Sequence, residues 1–430
     1  MSSFTNDLIA VLKSRVTVIG CGLITSVITA RYLGPSGNGI VATLTVYPDL
    51  FMVIGSLGIR QSAAYFIGQK KYSDDAIFSS VLNVWLFTSL FCIASCFLLL
   101  KYAVKGNYDS ALIFLALLPI PFSLFNTYSS GVFLGKNMIK DFNTVNWVPN
   151  VVKLIAFLIL IVLLPWGVKG AIIGIGAGYM FLTYFVWGKV KNIVKIQWSW
   201  NFQILKEMLS LGIIYAVSLL IISLNYKANI MLLQRLSSEY EVGIYSKGVS
   251  IVEYLWEVPT LLSTIIFARS VTSTDPKLFS EKVCQLLRIC FVVIFCMSVV
   301  FYFISEFLMV TMYGSPFKAS SEVQKILLPG ILLMTIFKVL NMDLAGKGKP
   351  WMAVIAALPA LLLNVFLNWL WDEQYGAKGA AMASTISYTV SAIIFLIMYS
   401  RYVQIPIKSI VKISLNDFNF LDKYINKLRR

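Results

Sequence analysis

The sequence predicts an all-α integral membrane protein with about twelve transmembrane helices arranged as two parallel six-helix bundles. Three observations predict it. The 430 residues are 58% hydrophobic and only 13% charged, about half the charged fraction of an ordinary soluble domain. Apolar runs near the roughly 20 residues needed to cross a bilayer recur along the whole length. The two halves of the chain also repeat one another at a nearly fixed offset.

The apolar runs place spans at 14–33, 38–60, 76–100, 110–133, 143–164, 169–188, 208–233, 240–268, 286–305, 322–343, 351–371 and 379–400. In lipid, every backbone amide must be paired internally, which allows only helices or a closed barrel. The runs are continuous and do not alternate, so they are read as helices. Gly34, Pro35, Gly37 and Gly39 separate the first two spans, and Gly346, Gly348 and Pro350 separate the tenth from the eleventh. The first run follows Lys13 and Arg15 and is not followed by a small-residue cleavage pattern, so it reads as a span and not as a signal peptide.

Basic residues set the orientation. With the N-terminus in the cytoplasm, 24 of the 36 lysines and arginines lie on the cytoplasmic side, eight lie on the outer side and four lie deep within spans. This is the positive-inside bias of a multi-pass protein, and it places both termini in the cytoplasm. It also accounts for the net charge of +16 without nucleic acid. The last segment carries Leu421, Tyr424, Ile425 and Leu428 at helical spacing among Lys423, Lys427 and Arg429. It fits either a surface-lying amphipathic helix or a solvated basic tail.

The repeat is seen in Leu117-Leu118-Pro119 and Leu327-Leu328-Pro329, and in Pro149 and Pro359, all offset by 210. Gly167-Val168-Lys169-Gly170-Ala171 matches Gly376-Ala377-Lys378-Gly379-Ala380 at 209, and Arg31, Gly39 and Asp49 match Arg235, Gly243 and Glu253 at 204. Six spans return each half to the same side, so the repeats are parallel, an arrangement that places a substrate between bundles near the midplane. The domains expected are 1–200, 201–402 and a basic cytoplasmic tail at 403–430.

Chemistry is narrowed by what is missing. The chain has no histidine, the commonest general base and metal ligand. Its six cysteines fall in or beside apolar runs without a paired CxxC pattern, so no metal or cofactor is expected. The loops are too short for most membrane-embedded transferases. Attention therefore falls on polar groups inside spans, which are costly in lipid and usually face a cavity. Asn143, Asn146, Asn150 and Lys153 lie on one face of the fifth span, with Asn364 and Asn368 as a shorter stripe on its repeat partner. Thr45, Asp49, Ser56 and Arg60 are expected to share a face of the second. Lys227 and Lys338 lie deep without an acid in the same turn, with Asn341 beside the latter. Lys247 is expected to pair with Glu257, and Arg31 and Arg235 to snorkel at span ends. Cations suit phosphate or a sugar acid, and amides suit sugar hydroxyls. The candidate substrate-binding residues are Lys153, Lys227, Lys338, Asn146, Asn150, Arg60 and Asn341. Asp49 and Glu253 are the candidates for ion coupling.

Some of these residues carry a family resemblance. Ala30-Arg31-Tyr32-Leu33-Gly34-Pro35-Ser36-Gly37-Asn38-Gly39-Ile40, then Ser56-Leu57-Gly58-Ile59 and the basic Lys70-Lys71, open the first half. Ile230-Met231-Leu232 and Glu241-Val242-Gly243-Ile244-Tyr245 open the second. Over nearly the whole chain this resembles bacterial polysaccharide-repeat-unit flippases (Wzx-type) of the multidrug/oligosaccharidyl-lipid/polysaccharide exporter superfamily. The resemblance implies a V-shaped pair of bundles in the bacterial inner membrane. It implies movement of an undecaprenyl-diphosphate-linked oligosaccharide (O-antigen, capsule or exopolysaccharide) to the periplasmic leaflet by alternating access, and not an enzyme. The expected partners are the lipid-linked oligosaccharide, membrane lipids and the polymerase machinery downstream. Two departures matter. Ala228-Asn229 stands where many relatives carry an Asp-Arg pair. Thr25-Ser26 and Met52-Val53 stand where peptidoglycan-precursor flippases carry charges, which argues against that substrate. A cation-coupled drug exporter of the same fold is the alternative, with a membrane-embedded glycosyltransferase or polymerase behind it.

Overall fold

The computed structural model describes residues 2–414 and 417, apart from 107, 137, 196–200, 272 and 274. The amphipathic pattern at 421–428 lies outside them. Among the described residues there is no strand, and fifteen α-helices follow one another. They are α1 (Ser2–Ser56), α2 (Ile59–Gln69), α3 (Asp74–Tyr102), α4 (Ser110–Leu117), α5 (Pro119–Gly135), α6 (Ile139–Phe157), α7 (Gly167–Val190), α8 (Phe202–Leu236), α9 (Glu239–Val252), α10 (Glu257–Val271), α11 (Pro276–Tyr313), α12 (Ser320–Gly346), α13 (Trp351–Tyr375), α14 (Ala377–Val403) and the short α15 (Ile407–Val411).

Ten stretches among the described residues are long and apolar enough to cross a membrane. One of them, Lys13–Gln69, has 57 residues. At 1.5 Å per residue that is about 85 Å, more than twice the hydrocarbon core. It makes two crossings, because Gly34 (φ 64°, ψ −177°) breaks α1 in a conformation that glycine alone adopts without strain. The pair α9 and α10, joined by a 3₁₀ turn at Glu253–Trp256, makes one more. Counted in this way, the described residues provide twelve crossings, the number expected from sequence. Large side chains such as Phe87 (73% exposed) and Phe303 (79%) face outward, where lipid covers them.

The second span departs from the expectation. It does not run helically to residue 60: Leu57 (φ 44°) and Gly58 (φ 65°) are left-handed, and α2 begins afresh at Ile59. Arg60 therefore lies on a different helix from Thr45, Asp49 and Ser56. The fifth span ends in a π-helical turn, Leu158–Leu163, beyond the asparagine stripe, which stays α-helical.

The contacts divide into two compact units, residues 1–246 with 312–316, and 247–311 with 317–430. In the first, the buried core runs from Leu44 and Tyr47 through Phe78, Val81, Leu124 and Phe133 to Ile204 and Met208. In the second, small residues let helices touch, as is usual where the hydrophobic effect does not drive packing. A Cβ at Gly330 would lie 2.8 Å from the Thr385 Cα, and Ala356, Ala360, Ala380 and Ala383 are fully buried. One buried carboxylate ties four helices there. Asp343 accepts from Ser270 Oγ (2.8 Å) on α10, Ser280 Oγ (2.7 Å) on α11, Tyr399 OH (2.7 Å) on α14 and Lys347 Nζ (2.7 Å) at the C-cap of its own helix. The repeat is visible in the packing of each unit. A Cβ on Gly170 would crowd the Leu160 carbonyl at 2.9 Å, and one on its counterpart Gly379 would crowd that of Trp371 at 2.6 Å.

Candidate functional site

Candidate residues fall in both units. In the first, Asp49 follows Pro48 in α1, and Lys227 stands in the second half of α8. Their side chains form an ion pair, Lys227 Nζ to Asp49 Oδ2, at 2.7 Å. The carboxylate is 43% exposed and the ammonium 25%, so the pair borders open space. Lys153 and Tyr179 lie within the electrostatic reach of Asp49. The stripe on α6 is chained along its helix: Lys153 Nζ donates to Asn150 Oδ1 (3.2 Å), and Asn150 Nδ2 donates to the Asn146 carbonyl (2.9 Å). Asn146 itself is exposed and Asn143 is buried.

Arg60 belongs to a separate cavity of the same unit, about 430 Å³ in volume. Ser56, Arg60, Gln61, Thr127, Ser223 and Tyr226 give it a polar lining, and Met52, Val53, Leu219 and Ile222 an apolar one. Arg60 Nε points to the Thr127 carbonyl at 3.4 Å. The break at Leu57–Gly58 places Arg60 on α2, where it lines this cavity together with Ser56 of α1. A guanidinium is permanently charged and presents a planar fork of donors. Among hydroxyls and a carboxamide it can hold a phosphate oxygen or a sugar acid, with sugar hydroxyls bridged beside it.

In the second unit, Lys338 of α12 lies over the Trp256 ring, 4.2 Å from its centroid, a cation–π arrangement. Trp256 is fixed from its other end, Nε1 donating to the Ile331 carbonyl at 3.0 Å. Asn341 is 8% exposed, and its Oδ1 has no hydrogen-bond partner among the described residues. Glu253 opens the 3₁₀ turn and Glu257 opens α10. The tighter turn rotates the two acids apart, more than four residues of α-helix would.

The structure thus joins Lys227 to Asp49 and Lys153 to Asn150, and it gives Arg60 a cavity of its own. The pairing with Lys227 could not be seen from sequence because the partners are 178 positions apart. A further acid escaped the sequence reading. Asp372 is fully buried at the end of α13, and neither of its carboxylate oxygens accepts a side-chain or backbone hydrogen bond among the described residues. Asn364, Asn368 and Asp372 recur at i, i+4 and i+8, and Asn368 Nδ2 donates to the Asn364 carbonyl at 2.7 Å. Extending the asparagine stripe by one turn past the assigned span end at 371 would have found it. No group of three or more histidines, cysteines or acids able to hold a metal assembles among the described residues. The stripe on α13 could hold a proton or one monovalent cation.

Comparison with known proteins agrees with this picture. A family model described as polysaccharide biosynthesis protein matches residues 28–322. A capsular polysaccharide biosynthesis protein of Staphylococcus aureus is 23% identical over 370 residues, covering 83% of this chain and 89% of that protein. Among solved structures, a lipid II flippase in an inward closed conformation superposes with a TM-score of 0.79 at 17% identity, over 98% of this chain and 93% of that one. An inward-facing multidrug resistance transporter of the MOP superfamily gives 0.70 at 16% identity, over 89% and 94%. At these identities the two structures establish the fold alone.

Proposed function

Because the chain belongs to the family of polysaccharide biosynthesis proteins matched over residues 28–322, we propose that it is a flippase for a lipid-linked oligosaccharide. Its substrate is an undecaprenyl-diphosphate-linked unit of an O-antigen, capsule or exopolysaccharide. It carries this unit from the cytoplasmic to the periplasmic leaflet of a bacterial inner membrane by alternating access, ahead of the polymerase machinery. The observation that carries the reading is the Arg60 cavity, where one fixed cation meets hydroxyls and a carboxamide. That lining suits a diphosphate and its first sugar better than it suits a hydrophobic cation.

Asp49 has a defined part in this reading. A charge in a span is costly when it has no partner, although partial exposure of this pair reduces that cost. Asp49 stands in for the substrate anion and keeps Lys227 paired until a phosphate replaces it. Lys153, Asn150 and Asn146 extend the polar wall of the first unit toward the sugars, and Lys338 and Asn341 are the candidate substrate contacts of the second. Outward movement of an anion runs with an inside-negative potential, by about 2.3 kcal/mol per charge per 100 mV, so transport does not depend on a histidine relay.

The test is complementation of a deletion strain. Arg60→Gln and Lys227→Gln are expected to lower surface polysaccharide at least about tenfold at unchanged protein level, the effect of losing a charged hydrogen bond. Lys153→Ala and Lys338→Ala are expected to lower it less. Wild-type polysaccharide in the first two variants removes both residues from the mechanism.

A second reading is favoured by the likeness to the multidrug transporter together with the buried, unbonded Asp372: cation-coupled drug export. It predicts dye efflux abolished by Asp372→Asn or Asp49→Asn. The flippase reading predicts no dye efflux at all.

A further inference from the structure

A second cavity opens on the seam between α2 and α8, in the first unit. It is about 880 Å³ and is lined by the last turn of α2 and the first turns of α8. One wall is apolar, with Phe66, Leu211 and Ile214. The rim carries Lys71, Lys206 and Glu207, with Lys71 Nζ 2.6 Å from Glu207 Oε2. That carboxylate holds the Lys71 ammonium above its ordinary pKa. The lysines lie at the end of the molecule assigned to the cytoplasm by the distribution of basic residues.

The Arg60 cavity is on the same seam. On α8 the rim cleft uses residues 203–214 and the Arg60 cavity uses 219–226; on α1 and α2 the two use 65–71 and 52–61. At the join the two backbones touch. A Cβ on Gly58 would overlap the Gly212 carbonyl oxygen, and a Cβ on Gly212 would overlap that of Leu57. Lys206 and Ser223 are seventeen residues apart on one helix, about 25 Å. The seam is a cationic, apolar-walled cleft, then a constriction made of glycines, then a cavity with a fixed arginine.

We propose that the outer cleft is a loading site for the diphosphate headgroup of a prenyl-linked substrate. Lys71 and Lys206 bind the phosphates, the apolar wall takes the first isoprenes, and the Gly58–Gly212 contact is the barrier the headgroup passes to reach Arg60. This rests on the flippase reading and specifies its entry route. Two lysines with an apolar wall fit an amphiphilic anion better than a free sugar or a drug cation. Glu207 acts here as a competitor, since it neutralises Lys71 while the cleft is empty of substrate.

The test uses the full chain in phosphatidylcholine nanodiscs with undecaprenyl diphosphate as the probe. Lys71→Gln combined with Lys206→Gln is expected to weaken binding about tenfold or more. Glu207→Gln is expected to tighten it about threefold, a gain that a misfolded protein cannot imitate. Lys408→Gln, on α15, is expected to bind as wild type does. Inorganic pyrophosphate is expected to bind at least about tenfold more weakly than the prenyl form, because it leaves the apolar wall empty. Unchanged affinity in the double variant, weaker binding in Glu207→Gln, or equal binding of pyrophosphate overturns the loading site. Those outcomes leave the flippase reading standing, since it is decided separately by the intermediates that build up in a deletion strain. Truncated intermediates there would sink that reading whatever the cleft binds.

Discussion

At the scale of single residues, what matters is which charge meets which. Asp49 and Lys227 were each legible as costly intramembrane groups, but their pairing was not, because it depends on how α1 and α8 pack. The pair is partly exposed, so solvent screening limits its worth to about 1 kcal/mol. Asp49→Asn is expected to lower stability by about that much. The Asp49→Asn, Lys227→Gln double variant is expected to recover stability, because it leaves neither charge stranded, and still to fail in transport. Thermal unfolding of the purified variants beside complementation separates the two effects. Asp343 is a different case. It is fully buried and four donors converge on it, so Asp343→Asn leaves Lys347 without its carboxylate. An uncompensated buried charge of that kind costs about 3–5 kcal/mol. Asp343→Asn is expected to be the most destabilising of these substitutions in the same assay, and a loss under 1 kcal/mol would contradict the network. Sequence alone did not single out Asp343, because the network forms only once α10, α11, α12 and α14 are assembled.

At the scale of elements, the sequence showed where helices start and stop better than where they change type. The runs of apolar residues and the glycine-proline breaks gave the crossings, and the break at Gly34 fell where expected. The left-handed Leu57, the π turn at 158–163 and the 3₁₀ turn at 253–256 were not legible, because each is imposed by packing on a sequence that would also run on as α-helix. The first of these matters to function, since it puts Arg60 on a new helix. The glycine contact it creates carries a prediction. Gly212→Ala is expected to stop transport while undecaprenyl diphosphate still binds, because the obstruction lies beyond the outer cleft. Loss of binding and transport together would place the effect in folding.

The segment after the last crossing is clamped as well. Arg288 on α11 grips Asp417 in bidentate fashion, Nε to Oδ2 at 2.8 Å and Nη2 to Oδ1 at 2.5 Å, while its Nη1 donates to the Ser409 carbonyl at 2.8 Å. The guanidinium holds the Asp417 carboxyl below the usual carboxylate range. A carboxyl with a lowered pKa stabilises the fold above its ordinary value, about 4 for aspartate, and loses that contribution as pH falls through the lowered value. Proteolytic cleavage between residues 404 and 417 is therefore expected to rise as pH drops below about 4, and Asp417→Asn is expected to show the same cleavage at neutral pH. Protection that is independent of both would remove the clasp.

At the scale of the whole molecule, the repeat read from a few short matches reappears in the packing. A Cβ on Gly39 would overlap the Glu239 carbonyl oxygen, and one on Gly243 would overlap that of Pro35. Both pairs, 35 with 239 and 39 with 243, are offset by 204, so the contact exchanges equivalent positions. This is what a duplicated six-span ancestor predicts, and it explains why both glycines stand in the motifs that resemble flippases. Fold class was legible because lipid constrains composition so strongly. The candidate site was legible only as residue types, since its geometry depends on which helices touch.

Movement of a completed lipid-linked saccharide between leaflets is tested most directly by mass analysis of lipid-linked intermediates in a deletion strain, with leaflet exposure read by an impermeant sugar-modifying reagent. Complete units are expected to accumulate and stay protected from the reagent in intact spheroplasts, with exposure restored by wild type and not by Arg60→Gln. Truncated units, or complete units fully exposed without the protein, would contradict such movement.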